Sequence, residues 1–157
     1  IYISDNQIMF SFNNIDLISR LIDGMYPEYE QIIPPAFKNK VTINRQALIK
    51  AVKTSSLFTK NSVCDVKLEF LKEKNEIIVT SSSAQTGENS DDLEAQIEGE
   101  SLLVVFNYNY LLDGLNNING DEVVMEMNSP SAPILLRAKE LNDYLYIVMP
   151  IKQEATA

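Results

Sequence analysis

The sequence contains no histidine and only one cysteine, Cys64, among its 157 residues. These counts exclude an internal disulfide, a Cys/His metal site and a histidine general base, and most familiar hydrolase mechanisms need one of them. No apolar run approaches the roughly eighteen residues that a membrane-spanning helix requires, and no basic-then-apolar leader opens the sequence. We therefore expect a cytosolic protein without a membrane segment, a metal or a cofactor.

Positive charge is also scarce and unevenly placed. The chain has 13 Lys and Arg against 22 Asp and Glu, which gives a formal net charge of −9. Affinity for a polyanion depends on clustered basic residues that displace counterions, so the composition argues against a simple nucleic-acid binder. Residues 38–60 nevertheless carry six basic residues and no acid, whereas residues 75–136 carry eleven acids and no base. Any contact with DNA is therefore local or indirect.

The first part of the chain predicts strands and then a linker. Partial period-two alternation indicates strands in QIMFSF and DLISRLI, and Gly24 and Pro27 indicate a turn after them. The paired prolines of IIPPAFKNK cannot continue a strand ladder, so we place a domain boundary near Phe37. Because IYISDNQIMFSF begins within a predicted strand pair and without an initiating Met, we expect the chain to be a fragment of a longer protein.

Beyond the linker, the hydrophobic period changes to that of a helix, with Asn44 as a candidate N-cap. One helix face carries Leu48, Ala51, Val52 and Ser55, and the other carries Gln46, Lys50 and Lys53. Three strands are predicted next, in CDVKLEF, NEIIVTSS and DDLEAQIE. The Ser/Thr/Asn-rich TSSSAQTGENS between the last two strands is expected to be a flexible hairpin loop.

The same pattern then recurs with a shift of 63 residues, from Ile43 to Phe106. INRQALIKAV aligns with FNYNYLLDGL, so that Asn44 matches Asn107, Leu48 matches Leu111, and Val52 matches Leu115. Three further strand candidates follow, in DEVVMEM, APILLRAK and DYLYIVM. We therefore predict an α+β fold in which a βαβββ unit is internally duplicated and both helices pack on one face of an antiparallel sheet.

Three stretches, RLIDGMYPEYEQIIP, FNYNYLLDGLN and YIVMPIK, resemble the bacterial DNA polymerase III β subunits, the β sliding clamps. The resemblance extends to Gln153 and implies the DNA-clamp fold. It also implies that residues 1–37 end a middle domain, that residues 38–153 form a complete C-terminal domain, and that residues 154–157 are a disordered tail.

The resemblance implies that the protein is a non-catalytic processivity factor of DNA replication and that it acts in the bacterial cytoplasm. The full-length protein would be a head-to-tail homodimeric ring that encircles duplex DNA with weak, non-specific contacts, and a clamp loader would place it there. DNA polymerase III and other clamp-binding proteins would attach through short linear motifs. The fragment alone is expected to be monomeric, since ring closure needs a domain that it lacks.

The apolar run that nearly ends the chain is, by this resemblance, one wall of the peptide-binding pocket. A Met and an aromatic residue beside small apolar side chains suit the recognition of several different peptides. Gln31 stands where the family often has Arg, which puts a charged contact there in doubt. The implied lining residues are Pro27, Gln31, Ile32, Val63, Asn107, Tyr110, Pro130, Ile147, Val148, Met149, Pro150 and Ile151.

Two further surfaces follow from the resemblance. Lys50 and Lys53 would face the DNA, although their counterparts in the second repeat, Asp113 and Asn116, carry no positive charge. Leu57 and Phe58 coincide with family positions that join the C-terminal domain to the first domain of the neighbouring subunit.

Two alternatives from other classes remain open at the level of sequence. One is a β-rich interaction module unrelated to replication. The other is an enzyme that uses the adjacent carboxylates Asp91 and Asp92, although successive residues on a strand point to opposite faces and would not converge on one substrate.

Overall fold

The structure is a computed structural model that describes residues 1–25, 28–59, 64–141 and 144–152, and it divides the chain into two compact units. The first unit, Ile1–Ile32, is a three-stranded antiparallel sheet of β1 (Tyr2–Ile3), β2 (Gln7–Phe12) and β3 (Ile15–Arg20), followed by a 3-10 helix at Tyr29–Ile32. The alternation in the sequence predicted β2 and most of β3, and the pairs Phe10–Leu17 and Phe12–Ile15 fix their register.

The second unit begins at Ile33 and contains the βαβββ pattern twice. Its first copy consists of β4 (Asn39–Asn44), α1 (Arg45–Ser56), β5 (Asp65–Leu71), β6 (Glu76–Ser83) and β7 (Gly87–Glu98). Its second copy consists of β8 (Leu102–Asn107), α2 (Tyr108–Asn117), β9 (Glu122–Met127), β10 (Ile134–Ala138) and β11 (Leu145–Val148). The duplication predicted from the sequence is therefore confirmed.

All eight strands of the second unit form one antiparallel sheet in the order β11-β10-β9-β4-β7-β6-β5-β8. The first strand of each copy pairs with a strand of the other copy, β4 with β9 and β8 with β5. Backbone hydrogen bonds therefore join the two copies, and strands from both copies are needed to form the sheet.

Both helices begin at an asparagine cap. The Asn44 side-chain oxygen accepts a bond from the Ala47 amide at 2.9 Å, and the Asn107 oxygen accepts one from the Asn109 amide at 3.0 Å. α1 contacts α2 as well as the strands of its own copy, so both helices contribute to one core. The fully buried side chains at matching positions of the two copies are Leu48, Val52, Leu111 and Leu115.

Arg45, the first residue of α1, ties the two helices together. Its guanidinium donates to the Leu115 carbonyl at 3.0 Å and to the Gly120 carbonyl at 2.8 Å, so it satisfies backbone acceptors at and beyond the end of α2. A cation at a helix C-terminus is also favoured by the helix dipole. The start of one helix is thus fixed to the end of the other.

The expectation of a flexible loop at TSSSAQTGENS is wrong, because β6 extends to Ser83 and β7 resumes at Gly87. Backbone pairing continues to the Ser83–Gly87 pair. Two of the polar side chains, those of Ser81 and Asn89, form hydrogen bonds with Ser55 of α1. The Ser81 hydroxyl donates to the Ser55 carbonyl at 2.6 Å, and the Asn89 amide donates to the Ser55 hydroxyl at 3.1 Å. These residues therefore hold the end of α1 instead of forming a loose connection.

Within the described ranges, no helix is long and apolar enough to cross a membrane.

Candidate functional site

The tail runs past the end of β11 and along the edge of the sheet. Val148 pairs with Ile134 of β10 and is buried, whereas Met149 is 54% exposed. Pro150 has no amide hydrogen, so it cannot extend the ladder. The next backbone hydrogen bond to a strand is made by Ile151, whose amide donates to the Val105 carbonyl of β8 at 2.8 Å. The tail therefore reaches the edge strand at the opposite end of the strand order.

A recess of about 350 Å³ lies where the tail meets β8. Its lining residues are Leu103, Val105, Pro130, Ser131, Ile151 and Lys152. Pro130 and Ile151 were predicted as peptide-binding residues, and the structure brings them together here. Leu103, which is 42% exposed, was not predicted. The continuous apolar run LLVVF gave no signal for it, and only the structure shows that Leu103 lies on the face of β8 opposite the buried Val104.

Three tyrosines lie where α2 packs against β11. We call Tyr110, Tyr144 and Tyr146 the tyrosine cluster. Tyr110 is 58% exposed, and the rings of Tyr144 and Tyr146 are stacked with centroids 6.5 Å apart. The ring of Tyr146 lies so close to α2 that a side chain at Gly114 would overlap it. A glycine inside a helix costs about 1 kcal/mol relative to alanine, and here it permits this contact.

Burial raises the pKa of Tyr146, and the charge of Asp113 and the nearby hydroxyls of Tyr144 and Tyr110 raise it further. The phenol therefore stays neutral at physiological pH. Tyr108 is the first residue of α2 and also has a raised pKa. The main cause is a hydrogen bond between its side chain and the Cys64 thiol. Cys64 thus lies beside Asn107 and Tyr108, and its carbonyl accepts the Tyr108 amide at 2.9 Å.

The other predicted lining residues have mixed environments. Ile147 is half-buried and Pro150 is buried, so Met149 is the exposed member of the tail. The side-chain oxygen of Asn107 caps α2, which gives this residue a structural role as well. Gln31 and Ile32 are exposed residues of the 3-10 helix in the first unit. Pro27 and Val63, like the predicted disordered tail at 154–157, lie outside the described residues.

The residues predicted to face DNA are exposed. Lys50 and Lys53 lie on the solvent side of α1, three positions apart, while the opposite side of that helix is buried. Asp113 and Asn116 are exposed at the matching positions of α2. The positive charge of the helix layer at these positions therefore resides on α1 alone.

Leu57 and Phe58 follow the last residue of α1. Leu57 is 71% exposed and Phe58 is half-buried. Their amides donate to Thr54 and Ser55 carbonyls at 3.2 and 3.0 Å, which continues the helical turn. The side chain of Leu57 is thus presented to solvent on an ordered helix end.

Asp91 and Asp92 do not form a catalytic pair. Asp91 is half-buried and accepts a bond from the Asn89 amide at 3.1 Å, whereas the neighbouring Asp92 is exposed. The alternation along β7 sends the two side chains to opposite faces of the sheet. In the part of the chain that the structure covers, no three His, Cys, Asp or Glu side chains are grouped to hold a metal ion.

Comparison with known proteins gives a consistent result. Residues 30–152 match the sequence profile of the DNA polymerase III beta subunit, C-terminal domain. The beta sliding clamp of Synechococcus elongatus is 29% identical over 152 residues, which cover 97% of this chain and 40% of that protein. The chain therefore spans about two fifths of the length of this relative.

Solved structures agree with the sequence matches. The DNA polymerase sliding clamp from Bacillus subtilis is 28% identical with a TM-score of 0.87, over 97% of this chain and 40% of that one. A Bartonella birtlesii sliding clamp bound to griselimycin is 30% identical with a TM-score of 0.85, over 96% of this chain and 40% of that one. Together with the profile match over most of the chain, these similarities show that the chain belongs to the DNA polymerase III beta subunit family and contains its C-terminal domain.

Proposed function

We propose that this chain is part of a bacterial replication clamp, a non-catalytic processivity factor that encircles duplex DNA and tethers DNA polymerase III and other partners. The family membership supports this role, as do the relatives that are named beta sliding clamps. In this proposal the first unit is the end of the middle domain, and residues 38–153 form the complete C-terminal domain. The protein would act in the bacterial cytoplasm, where a clamp loader would place the ring on DNA.

The observation that carries the proposal is the recess formed where the tail meets β8. Met149 and Tyr110 are exposed large side chains, at 54% and 58%, and Met149 lies two residues before Ile151, which lines the recess together with Pro130. Exposed apolar groups around a concave surface are typical of a peptide-binding site. The relative from Bartonella birtlesii was solved with griselimycin bound, so a member of this family accepts a ligand.

The chemistry of the site suits a short apolar motif. The thioether of Met149 adjusts its shape to different partners, and the Tyr110 ring offers area at little cost in conformational entropy. The proposed contact residues in the second unit are Val63, Asn107, Tyr110, Pro130, Ile147, Val148, Met149, Pro150 and Ile151, and those in the first unit are Pro27, Gln31 and Ile32. We add Leu103 to this set because it lines the recess.

A direct test is fluorescence polarisation with a labelled Gln-Leu-x-Leu-Phe peptide, the motif type that the resemblance implies. The chain should bind this peptide and reject a peptide of the same composition in scrambled order. We expect an affinity below that of a full-length clamp, since most of the middle domain is absent from this chain. Equal binding of both peptides would show that the surface has no sequence preference and would contradict the proposal.

The proposed contact with DNA predicts weak binding that decreases as the salt concentration rises. Lys50 and Lys53 offer few positive charges to phosphate, and the net charge of −9 opposes approach. Changing both lysines to Glu should remove the residual binding in an electrophoretic or polarisation assay. The fold should remain, because exposed helix residues contribute little to stability.

Lys67 and Lys74 provide the matched control for this experiment. Both are exposed, and Lys67 alternates with the buried Val66 and Leu68, so it projects from the sheet face away from the helices. Their double change to Glu alters the net charge by the same amount and should weaken binding much less. Equal loss in both double variants would assign the effect to net charge and not to α1.

We also propose that Leu57 and Phe58 contact the neighbouring subunit in a head-to-tail dimer. An exposed leucine on an ordered helix end supports an interface there. The partner surface belongs to the first domain, so the present chain should sediment mainly as a monomer at micromolar concentration. A tight, closed dimer of this chain alone would contradict the assignment.

A further inference from the structure

The tyrosine cluster and Asp113 combine aromatic faces with a negative charge at one place on the surface. Tyr110 and Asp113 are three positions apart on α2, and Gly114 is four positions after Tyr110, so all three lie on the same side of the helix. The ring of Tyr146 packs against Gly114 and is therefore flanked by the other two. Tyr144 extends the surface by stacking on Tyr146 at 6.5 Å.

The charge of Asp113 is available to a ligand. The residue is exposed, and among the described residues no Lys or Arg nitrogen lies within salt-bridge distance of its carboxylate. Residues 75–136, which include α2, contain no basic residue at all. The raised pKa of Tyr146, to which Asp113 contributes, agrees with the closeness of the two groups.

We propose that the tyrosine cluster and Asp113 form a subsite for a cationic side chain, arginine or lysine, that flanks the apolar motif of the incoming peptide. The inference rests on the proposed peptide site and specifies the chemistry of its partner. A cation is stabilised both by contact with the face of an aromatic ring and by pairing with a surface carboxylate. Arginine fits best, because its planar guanidinium stacks on a ring while it donates to a carboxylate.

The test compares five labelled peptides: the plain Gln-Leu-x-Leu-Phe motif, two forms with one added Arg, and two forms with one added Glu. Each extension is made at the amino end and, separately, at the carboxyl end. For one of the two ends, the Arg peptide should bind roughly threefold to thirtyfold more tightly than the plain peptide, and the Glu peptide should bind more weakly. The gain should shrink as salt rises.

Asp113→Asn should reduce this gain to the part that the tyrosine rings provide. Asp92→Asn is the matched control, since Asp92 is an exposed carboxylate on β7 whose loss changes the net charge equally, and this variant should keep the gain. If Asp113→Asn keeps the whole gain, or if neither Arg peptide binds more tightly than the plain motif, the subsite does not exist.

A second readout separates this inference from the proposed function. If the plain peptide fails to bind, the peptide site itself is wrong, and the subsite is then tested with N-acetyl-arginine amide. This probe should shift the ring resonances of Tyr110 and Tyr146 in the NMR spectrum of the parent chain and shift them less at the same concentration in Asp113→Asn. The absence of shifts in the parent chain would overturn the subsite.

Discussion

We expect a chain shortened to end at Val148 to lose nearly all of its affinity for the Gln-Leu-x-Leu-Phe peptide. The truncation removes Met149, the exposed apolar side chain of the tail, together with the Ile151 amide that bonds to Val105 at 2.8 Å. Without Ile151 and Lys152, the recess loses one wall. β11 itself remains, since its pairing with β10 extends from Leu145 to Val148 and needs none of the deleted residues.

The single change Met149→Ala isolates one side chain of this wall. Burying a methionine side chain contributes roughly 1.5–3 kcal/mol, so its loss should weaken peptide binding by roughly tenfold to a hundredfold. Leu141→Ala is the control, because Leu141 is an exposed apolar residue, at 44%, that lies with Asn119 and Gly120 and does not line the recess at the tail. Fluorescence polarisation measures the affinities, and circular dichroism establishes that each variant is folded.

These two changes distinguish a binding surface from an edge strand. If the Met149 variant remains folded and binds as well as the parent, the tail only completes the sheet and the peptide site lies elsewhere. If only the truncated chain loses affinity, the contribution comes from Ile151 and the recess beside β8.

The sequence was most informative where a local pattern determines the structure. The asparagine caps at 44 and 107 are local signals, and the apolar periodicity after them identified the buried faces of both helices. The duplication was visible because both copies bury the same positions, Leu48 with Leu111 and Val52 with Leu115. A repeated core restricts the matching residues of both copies to apolar side chains.

The sequence was least informative where a side chain depends on a distant neighbour. Ser81 and Asn89 resemble loop residues in composition, yet they pair with each other in strands, and the side chains of both bond to Ser55 at the end of α1. Leu103 lines the recess only because the tail returns to β8, forty-eight residues later at Ile151. The position of Tyr146 against Gly114 likewise depends on how β11 packs on α2. No local pattern contains this information.

The duplicated core predicts two matched losses of stability. Leu48 and Leu111 are both fully buried at equivalent positions of α1 and α2 and belong to the same core. Replacing either leucine with alanine removes buried methyl groups and leaves a cavity, which costs about 2–5 kcal/mol. Since domains of this size are stable by only about 5–15 kcal/mol, each variant should show a clearly lower midpoint of urea unfolding.

Exposed residues at equivalent positions provide the control. Gln46→Ala and Asn109→Ala lie 63 positions apart on the solvent faces of the same two helices, and each should change the free energy of unfolding by less than about 0.5 kcal/mol. Far-ultraviolet circular dichroism in urea measures all four variants, because the chain has no tryptophan to report unfolding by fluorescence. If Leu111→Ala were as mild as Asn109→Ala while Leu48→Ala remained costly, α2 would not share the core of α1. The surface that carries Tyr110 would then rest on a separately unfolding element.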